Sequence, residues 1–541
     1  MNNGGIISVV LDLHKPFVRN SEPPPPETQP EIREERWFFE ALSETYLPLL
    51  EVFDRLDADH IPFKIALSLS PTLCHMLQDE YLLERYLRYV DRQIDFGVRE
   101  LERTGGSLGS PDGAMHQLAQ AFYNQTVDKR VLFTERYGHK ILKIFDYYQR
   151  KGRVELLTTA ATHAFLPLYA GYPEACQAQF ETAMASHRSL FGKNPHGFWL
   201  PELGWSPELD RYLRAYNFSY TIVDTHGLAL TDLPASRGSW YPVKTPAGIF
   251  ILARDFYACR ELERTEGPPA PLACHMDPLY RDYHRDAGYE LPAEAVRPFL
   301  ESSGARTRTG YKYWASGGML YNPQQARERA QAAAVSFLDA RIDRLSAAAA
   351  YLENPISLCA YNADLFGRFW YEGPAFLEAL FREGARRGGG CFMNPAEYLY
   401  KQDAKGFPLV SPEYSSWGVN GYGEMWLDAS NDWLYRHILR SLDRMVELAE
   451  RFPNDTGIKE RALNQAAREI LLTQCSDWPE MLYKQENAAY ARNQVEAALR
   501  NFTTIYEALG SSYISTEWLT NLERRHNCFP AINYRVFRHK H

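Results

Sequence analysis

The sequence predicts an α/β fold in which seven parallel strands form a closed or nearly closed barrel. Three observations carry that expectation. Seven short apolar runs recur between residues 6 and 360, helical stretches separate several of them, and the pattern gives way to helices alone after about residue 410. Strands alternating with helices imply a parallel sheet, and seven such units imply a barrel.

The first run, residues 6–11, is rich in β-branched residues and reads as a buried strand. The proline-rich residues 22–26 follow as a stiff surface loop. A helix begins near Glu34, with Trp37, Phe38, Leu42, Tyr46 and Leu49 close to helical spacing. Further strand-like runs stand at 63–68, 154–158, 197–200, 220–223, 249–253 and 356–360. Helices are expected at 79–104, 135–150, 173–190, 207–216 and 323–353. The fourth has a start signal, with Ser206 placed to cap and Pro207 at the first helical position. The interval 72–151 is too long for one crossover and reads as a helical insertion. Residues 431–451, 458–472 and 490–509 read as amphipathic helices. The chain is therefore expected to divide into a barrel with its insertion over 1–410 and a helical domain over 411–541. The last residues, 535–541, read as a frayed, solvated tail.

Composition excludes several function classes. The net charge of −9 offers no positive field to attract nucleic acid or anionic lipid. No run of about 18 apolar residues exists to span a membrane, and the N-terminus lacks the basic and apolar regions of a signal peptide. None of the eight cysteines forms a C-x-x-C pair, which points to reduced thiols in a cytoplasmic protein with no structural zinc. The 34 Tyr, 28 Phe and 11 Trp supply flat faces with polar edges that suit stacking on sugar rings, although the same residues also fill cores and rims.

Chemistry in a (β/α) barrel sits at the C-terminal strand ends. The runs end, in order, in Asp12-Leu13-His14, in Ser68 and Ser70, in Thr162-His163, in Pro201-Glu202, in Asp224 with His226 beyond it, in Arg254-Asp255, and in Tyr361-Asn362-Ala363-Asp364. Each has a purely structural reading: a hydrogen-bonded histidine, an Asp224 that caps a turn, an Arg254 paired with a carboxylate. Six strands presenting such residues at one face point instead to a site. Glu202 is its centre, because the apolar residues 197–201 deliver a carboxylate into a partly dry environment. A carboxylate there can attack a sugar anomeric carbon, and a retaining reaction then needs a second carboxyl about 5–5.5 Å away.

The segments Asp12-Leu13-His14-Lys15-Pro16, Ala161-Thr162-His163, Gly197-Phe198-Trp199-Leu200-Pro201-Glu202 and residues 361–370 resemble the ordered motifs of glycoside hydrolase family 57, in particular its 1,4-α-glucan branching enzymes. The C-terminal markers Ser415-Ser416-Trp417-Gly418, Asn431-Asp432-Trp433 and Ser476-Asp477-Trp478-Pro479 extend the resemblance over nearly the whole chain. It implies an incomplete (β/α)7 barrel with a helical C-terminal domain beside the cleft. It also implies a retaining reaction on α-1,4-glucan (glycogen, amylose or maltooligosaccharide) with transfer to a 6-hydroxyl, needing no metal or organic cofactor. By the same resemblance Glu202 is the nucleophile. Arg254, Trp417 and Asp477 bind substrate, His14, His163 and Asp224 line the subsite at the cleaved bond, and a binding Gln position is taken by Glu486.

The departures are local to the site. The family reads Tyr-Asp-x-Glu-Leu-Phe-Gly-His-Trp-Trp, with the Asp as acid/base; residues 361–370 here read Tyr-Asn-Ala-Asp-Leu-Phe-Gly-Arg-Phe-Trp, which puts Asn362 at that position. The first motif's leading His is Asp12, and residues 259–278 replace the family's Gln-Val-Trp-Ser and Gly-Tyr-Pro-Gly segment. Asp364 and Asp12 are the substitute acids on offer. Asp364, two residues along an extended strand, would point the same way but roughly 6–7 Å further on. Asn362→Asp is expected to raise activity. Two other readings stand beside the enzyme: a glucan-binding pseudoenzyme, and a metal-dependent barrel hydrolase built on Asp12, His14, His163 and His226.

Overall fold

The computed structural model describes residues 4–19, 34–105, 113–232, 238–263, 308–315, 319–402, 406–511 and 513–540. Its sheet contains β1 (Ile6–Leu13), β2 (Ile65–Leu69), β3 (Val154–Thr159), β4 (Gly197–Trp199), β5 (Tyr220–Val223), β6 (Val243–Lys244), β7 (Phe250–Ala253) and β8 (Ile356–Asn362). The order is β6-β7-β5-β4-β3-β2-β1-β8. Seven of these strands pair in parallel, and β6 pairs antiparallel with β7 at the edge. β6, absent from the sequence reading, has two residues, too few for any periodicity to register. The sheet ends at β6 and β8, which do not pair, so the barrel is incomplete; just past β7 the Asp255 amide donates to the Leu358 carbonyl of β8 (2.8 Å) without a ladder forming.

The strands read as near-continuous apolar runs because both faces are buried. Along β1, Ile7, Val9, Leu11 and Leu13 pack outward among the helices, while Val10 packs inward with Leu157, Trp199, Leu252 and Leu358. The period of two carries that inner face to the strand ends: Asp12 follows Val10, and Asn362 follows Leu358 and Ala360. Register sets Asp12 level with Ser68 on one side and Asn362 on the other.

Helices Pro71–Met76, Glu80–Gly105, Gly113–Val131 and Ile141–Arg150 fill the interval between β2 and β3. The last starts later than residue 135 because a π-turn, Leu132–Arg136, ends in the left-handed pair Gly138 (φ 52°) and His139 (φ 63°). The helix expected from Pro207 runs over Leu209–Ala215, and its N-cap, Glu208, makes no side-chain cap. Ser206 is buried beside Trp205, whose backbone is tied to Ser415, and its hydroxyl has no partner among the described residues. The C-terminal part consists of helices Asp432–Arg451, Ile458–Thr473, Asp477–Lys484, Ala488–Ser511 and Thr516–Arg525. The chain end is packed rather than frayed: Tyr534 and Phe537 are fully buried, and Arg535 Nε donates to the Pro453 carbonyl (2.8 Å). Among the described residues no helix is long and apolar enough to cross a membrane, and seven cysteines are unpaired and buried. Cys274 and most of the divergent segment 259–278 lie outside the described residues.

Candidate active site

Glu202 stands just past the end of β4, in a single turn, Pro201–Leu203. Its backbone is left-handed (φ 59°, ψ 19°), as is that of Leu203 (φ 51°) and of His163 (φ 55°) beyond β3. Non-glycine residues pay on the order of 1–3 kcal/mol for such conformations, so the surroundings must hold them there. Two C-terminal residues do so twice over. The Trp417 amide donates to the Glu202 carbonyl (2.9 Å), and its indole Nε1 donates to Glu202 Oε2 (2.6 Å). The Ser476 amide donates to the His163 carbonyl (3.1 Å), and its hydroxyl donates to Glu202 Oε1 (2.6 Å).

The histidines form a second layer. His163 bonds Ser476 Oγ through Nδ1 (3.0 Å) and Asp12 Oδ2 through Nε2 (3.1 Å), with Nδ1 also 3.4 Å from Glu202 Oε1. The Ser476 hydroxyl hydrogen is engaged with Glu202, so Ser476 Oγ accepts from Nδ1–H, and Asp12 accepts from Nε2–H. Both ring nitrogens therefore donate, as an imidazolium requires. Burial opposes that charge, but Asp12 and then Glu202 outweigh it and push the group up to about 10. The His14 ring stacks on it at 3.9 Å and 7°. Burial and the neighbouring His163 charge keep His14 low, hence neutral. Its Nε2–H donates to Asp477 Oδ2 (2.7 Å) and Nδ1 accepts from Ser70 (2.9 Å). Burial pushes the Glu202 carboxyl up, yet His163 and Ser476 overcome it and hold Glu202 below the usual carboxylate range. Asp477 is likewise held well below it, burial being outweighed by His14.

This protonation has a consequence for stability. His163 binds its proton in the folded state up to about 10 and in the unfolded chain only up to about 6.5. Between those values the folded state holds more protons, so stability is full below about 6.5 and is lost as pH rises toward 10, by on the order of a few kcal/mol. Melting temperatures of the native chain and His163→Gln at pH 6.5 and 9.5 test this; equal drops in the two proteins would exclude it.

The remaining expected residues divide. Arg254 Nη2 donates to Asp224 Oδ2 (3.0 Å), Nη1 donates to Glu263 (3.2 Å), and the guanidinium lies 5.7 Å from the Trp417 ring centre. Asp224 also caps the next helix through the Thr225 amide (2.6 Å). Thus His14, His163, Glu202, Asp224, Arg254, Trp417 and Asp477 form one connected face. Glu486 does not join their hydrogen bonds; it is exposed beyond the end of helix Asp477–Lys484. Asn362 is exposed at the end of β8, its Oδ1 accepting from the Asp364 amide (2.9 Å).

Asp364 is turned away from the role of proton donor. The strand ends at Asn362 and a 3-10 turn, Ala363–Leu365, follows, so the two-residue alternation stops. Its side chain is 3% exposed and its carboxylate accepts from Lys15 Nζ (2.6 Å) and Arg368 Nη1 (3.0 Å). Burial would raise it, but those two cations keep it low and ionised. His226 leaves the group proposed for a metal: its Nε2 donates to the Gly421 carbonyl (2.7 Å). Among the described residues His14, Cys475 and Asp477 lie close enough to share an ion, but Cys475 Sγ and His14 Nε2 both donate to Asp477 Oδ2. Sequence reasoning missed Ser70, Ser476 and Lys15 as partners. It also missed Glu480, a carboxyl one turn beyond Ser476 that burial and the Glu202 charge push up to about 7.

A family model for glycosyl hydrolase family 57 matches residues 8–260, and one for the C-terminal part of 1,4-alpha-glucan branching enzyme matches residues 437–537. A 1,4-alpha-glucan branching enzyme of Thermococcus kodakarensis is 27% identical over 564 aligned residues, covering 98% of this chain and 78% of that protein. The structure of an alpha-amylase from Thermotoga maritima superposes with a TM-score of 0.86 at 32% identity, over 99% of both chains. That of a branching enzyme of this family from Pyrococcus horikoshii gives 0.84 at 25% identity, over 99% of this chain and 97% of that one. The matched models and relatives, on an incomplete barrel of this kind, place the chain among glycosidase-type proteins. The chain belongs to glycoside hydrolase family 57.

Proposed function

We propose that this chain acts on α-1,4-glucan as a branching-type transglycosylase, by a retaining mechanism in which Glu202 becomes the covalent glycosyl carrier. The observation that carries this reading is the state of Glu202: a buried, ionised carboxylate gripped on both oxygens by Trp417 and Ser476. The relatives support it through what they are named for: a 1,4-alpha-glucan branching enzyme, a branching enzyme of this family and an alpha-amylase. Substrate is glycogen, amylose or a maltooligosaccharide, and the chemistry asks for no metal or organic cofactor. Arg254, stacked near Trp417, and Asp477, whose side chain is 21% exposed, offer a donor and an acceptor to sugar hydroxyls; His14, His163 and Asp224 set their orientation. Buried, unpaired cysteines support a cytoplasmic setting.

A second reading, a glucan-binding protein without turnover, draws on one observation: Asn362 carries no ionisable proton, and the nearest sequence substitute, Asp364, is locked by Lys15 and Arg368. Incubation with amylose separates the two. New α-1,6 branch points, with few new reducing ends, are expected; retained glucan binding with both at background would leave the binding protein.

A further inference from the structure

We propose that Glu480 is the proton donor and acceptor of the glucan reaction, in place of the carboxyl missing at Asn362; this rests on the retaining reading of Glu202. Four observations converge. First, Ser476 and Glu480 are joined as i and i+4 by a backbone hydrogen bond (3.3 Å) at the start of helix Asp477–Lys484. They therefore share one helix face, with Cβ atoms about 5–6 Å apart. Ser476 Oγ is itself 2.6 Å from Glu202 Oε1, so the Glu480 side chain departs one turn from the nucleophile. The Glu202 charge acts on the Glu480 carboxyl from there.

Second, Glu480 is neither locked away nor freely solvated: its side chain is 28% exposed. Asp364, by contrast, is 3% exposed and held by two cations. Third, the charges facing Glu480 are Glu202 from the β4 end, with Asp477 and Lys484 from its own helix. The two anions favour the protonated form, while Lys484, whose Nζ donates to Oε1 at 2.5 Å, favours the carboxylate. Fourth, burial and these charges together push the group up to about 7, where a carboxyl can both give and take a proton.

The steps balance. The Glu202 carboxylate attacks C1, the bond from C1 to the leaving glucan oxygen breaks, and the Glu480 proton goes to that oxygen. Esterification removes the Glu202 charge, which lowers the proton affinity of Glu480. The Glu480 carboxylate then takes the proton of an acceptor 6-hydroxyl as its oxygen attacks C1, and the ester bond breaks to return the Glu202 carboxylate.

Glu480→Gln and Glu480→Asp are assayed in the full chain on amylose and on α-maltotriosyl fluoride, whose leaving group needs no proton. Glu480→Gln is expected to lose about 100-fold or more on amylose and much less in forming the glycosyl-enzyme from the fluoride. Azide should restore its turnover, giving α-glycosyl azide, and the basic limb near pH 7 in kcat/KM should vanish; Glu480→Asp should recover part of the loss with the limb retained. Equal losses on both substrates without azide rescue, or an unchanged pH limb in Glu480→Gln, overturn the proposal alone. A native chain inert toward both substrates overturns it together with the glucan reading.

Discussion

Glu202→Gln is expected to lower glucan turnover on the order of 100,000-fold or more, because a carboxamide forms no glycosyl ester. The substitution should leave the fold intact. An amide oxygen can still accept from Trp417 Nε1, which holds Glu202 Oε2 at 2.6 Å. The amide nitrogen then faces Ser476 Oγ, and the hydroxyl can accept from it by turning its own proton away. What changes is charge. His163 loses one of the two anions that raise it and keeps Asp12, so its affinity for the proton falls while the ring stays bonded through Nε2. The pH dependence of stability above about 6.5 should therefore be shallower in Glu202→Gln than in the native chain. Turnover on amylose, with melting temperature as a control, decides the matter. Undiminished turnover with an unchanged melting temperature would remove Glu202 from the chemistry.

The contrast between Glu202 and its neighbours shows what a sequence can yield for such a site. β1 to β5, β7 and β8 were legible because strands buried on both faces are written as continuous apolar runs. Glu202 was legible for the same reason: it is the first charge after such a run. β6 was not, since two residues at a sheet edge leave no pattern. Asp364 failed for a local reason, a 3-10 turn that ends the alternation on which its direction was inferred. The groups that set the state of Glu202 lie 215 and 274 residues away, at Trp417 and Ser476. Nothing in local periodicity marks a serine in Ser476-Asp477-Trp478-Pro479 as the one that reaches the nucleophile; only the family resemblance drew attention to the segment, and it singled out Asp477. Glu480 was passed over because a glutamate on an amphipathic helix reads as solvated surface. Its character comes first from burial and then from the Glu202 charge, and both come from the packing of the helix on the barrel.

Asn362→Asp is expected to raise glucan turnover, and the size of the gain depends on which other carboxyl is present. The site is prepared for the change. Asn362 Oδ1 caps the 3-10 turn through the Asp364 amide, a bond that an aspartate keeps, so the second oxygen is left facing the strand-end surface. Asp12 stands level with it on β1, and neighbouring strands are about 4.8 Å apart. A carboxyl so close to another anion tends to hold its proton, as a general acid must. In the native background, with Glu480 able to donate, the expected gain is about tenfold at most. In the Glu480→Gln background the carboxyl introduced by Asn362→Asp would be the sole donor beside Glu202, and the same change should restore about 100- to 10,000-fold, the usual worth of general acid catalysis. Measured kcat/KM on amylose for the native chain, both single variants and the double variant gives the coupling directly. Equal gains in the two backgrounds would mean that positions 362 and 480 serve different steps, and no gain in either would mean that the face around Glu202 no longer seats a glucan in line with Asn362.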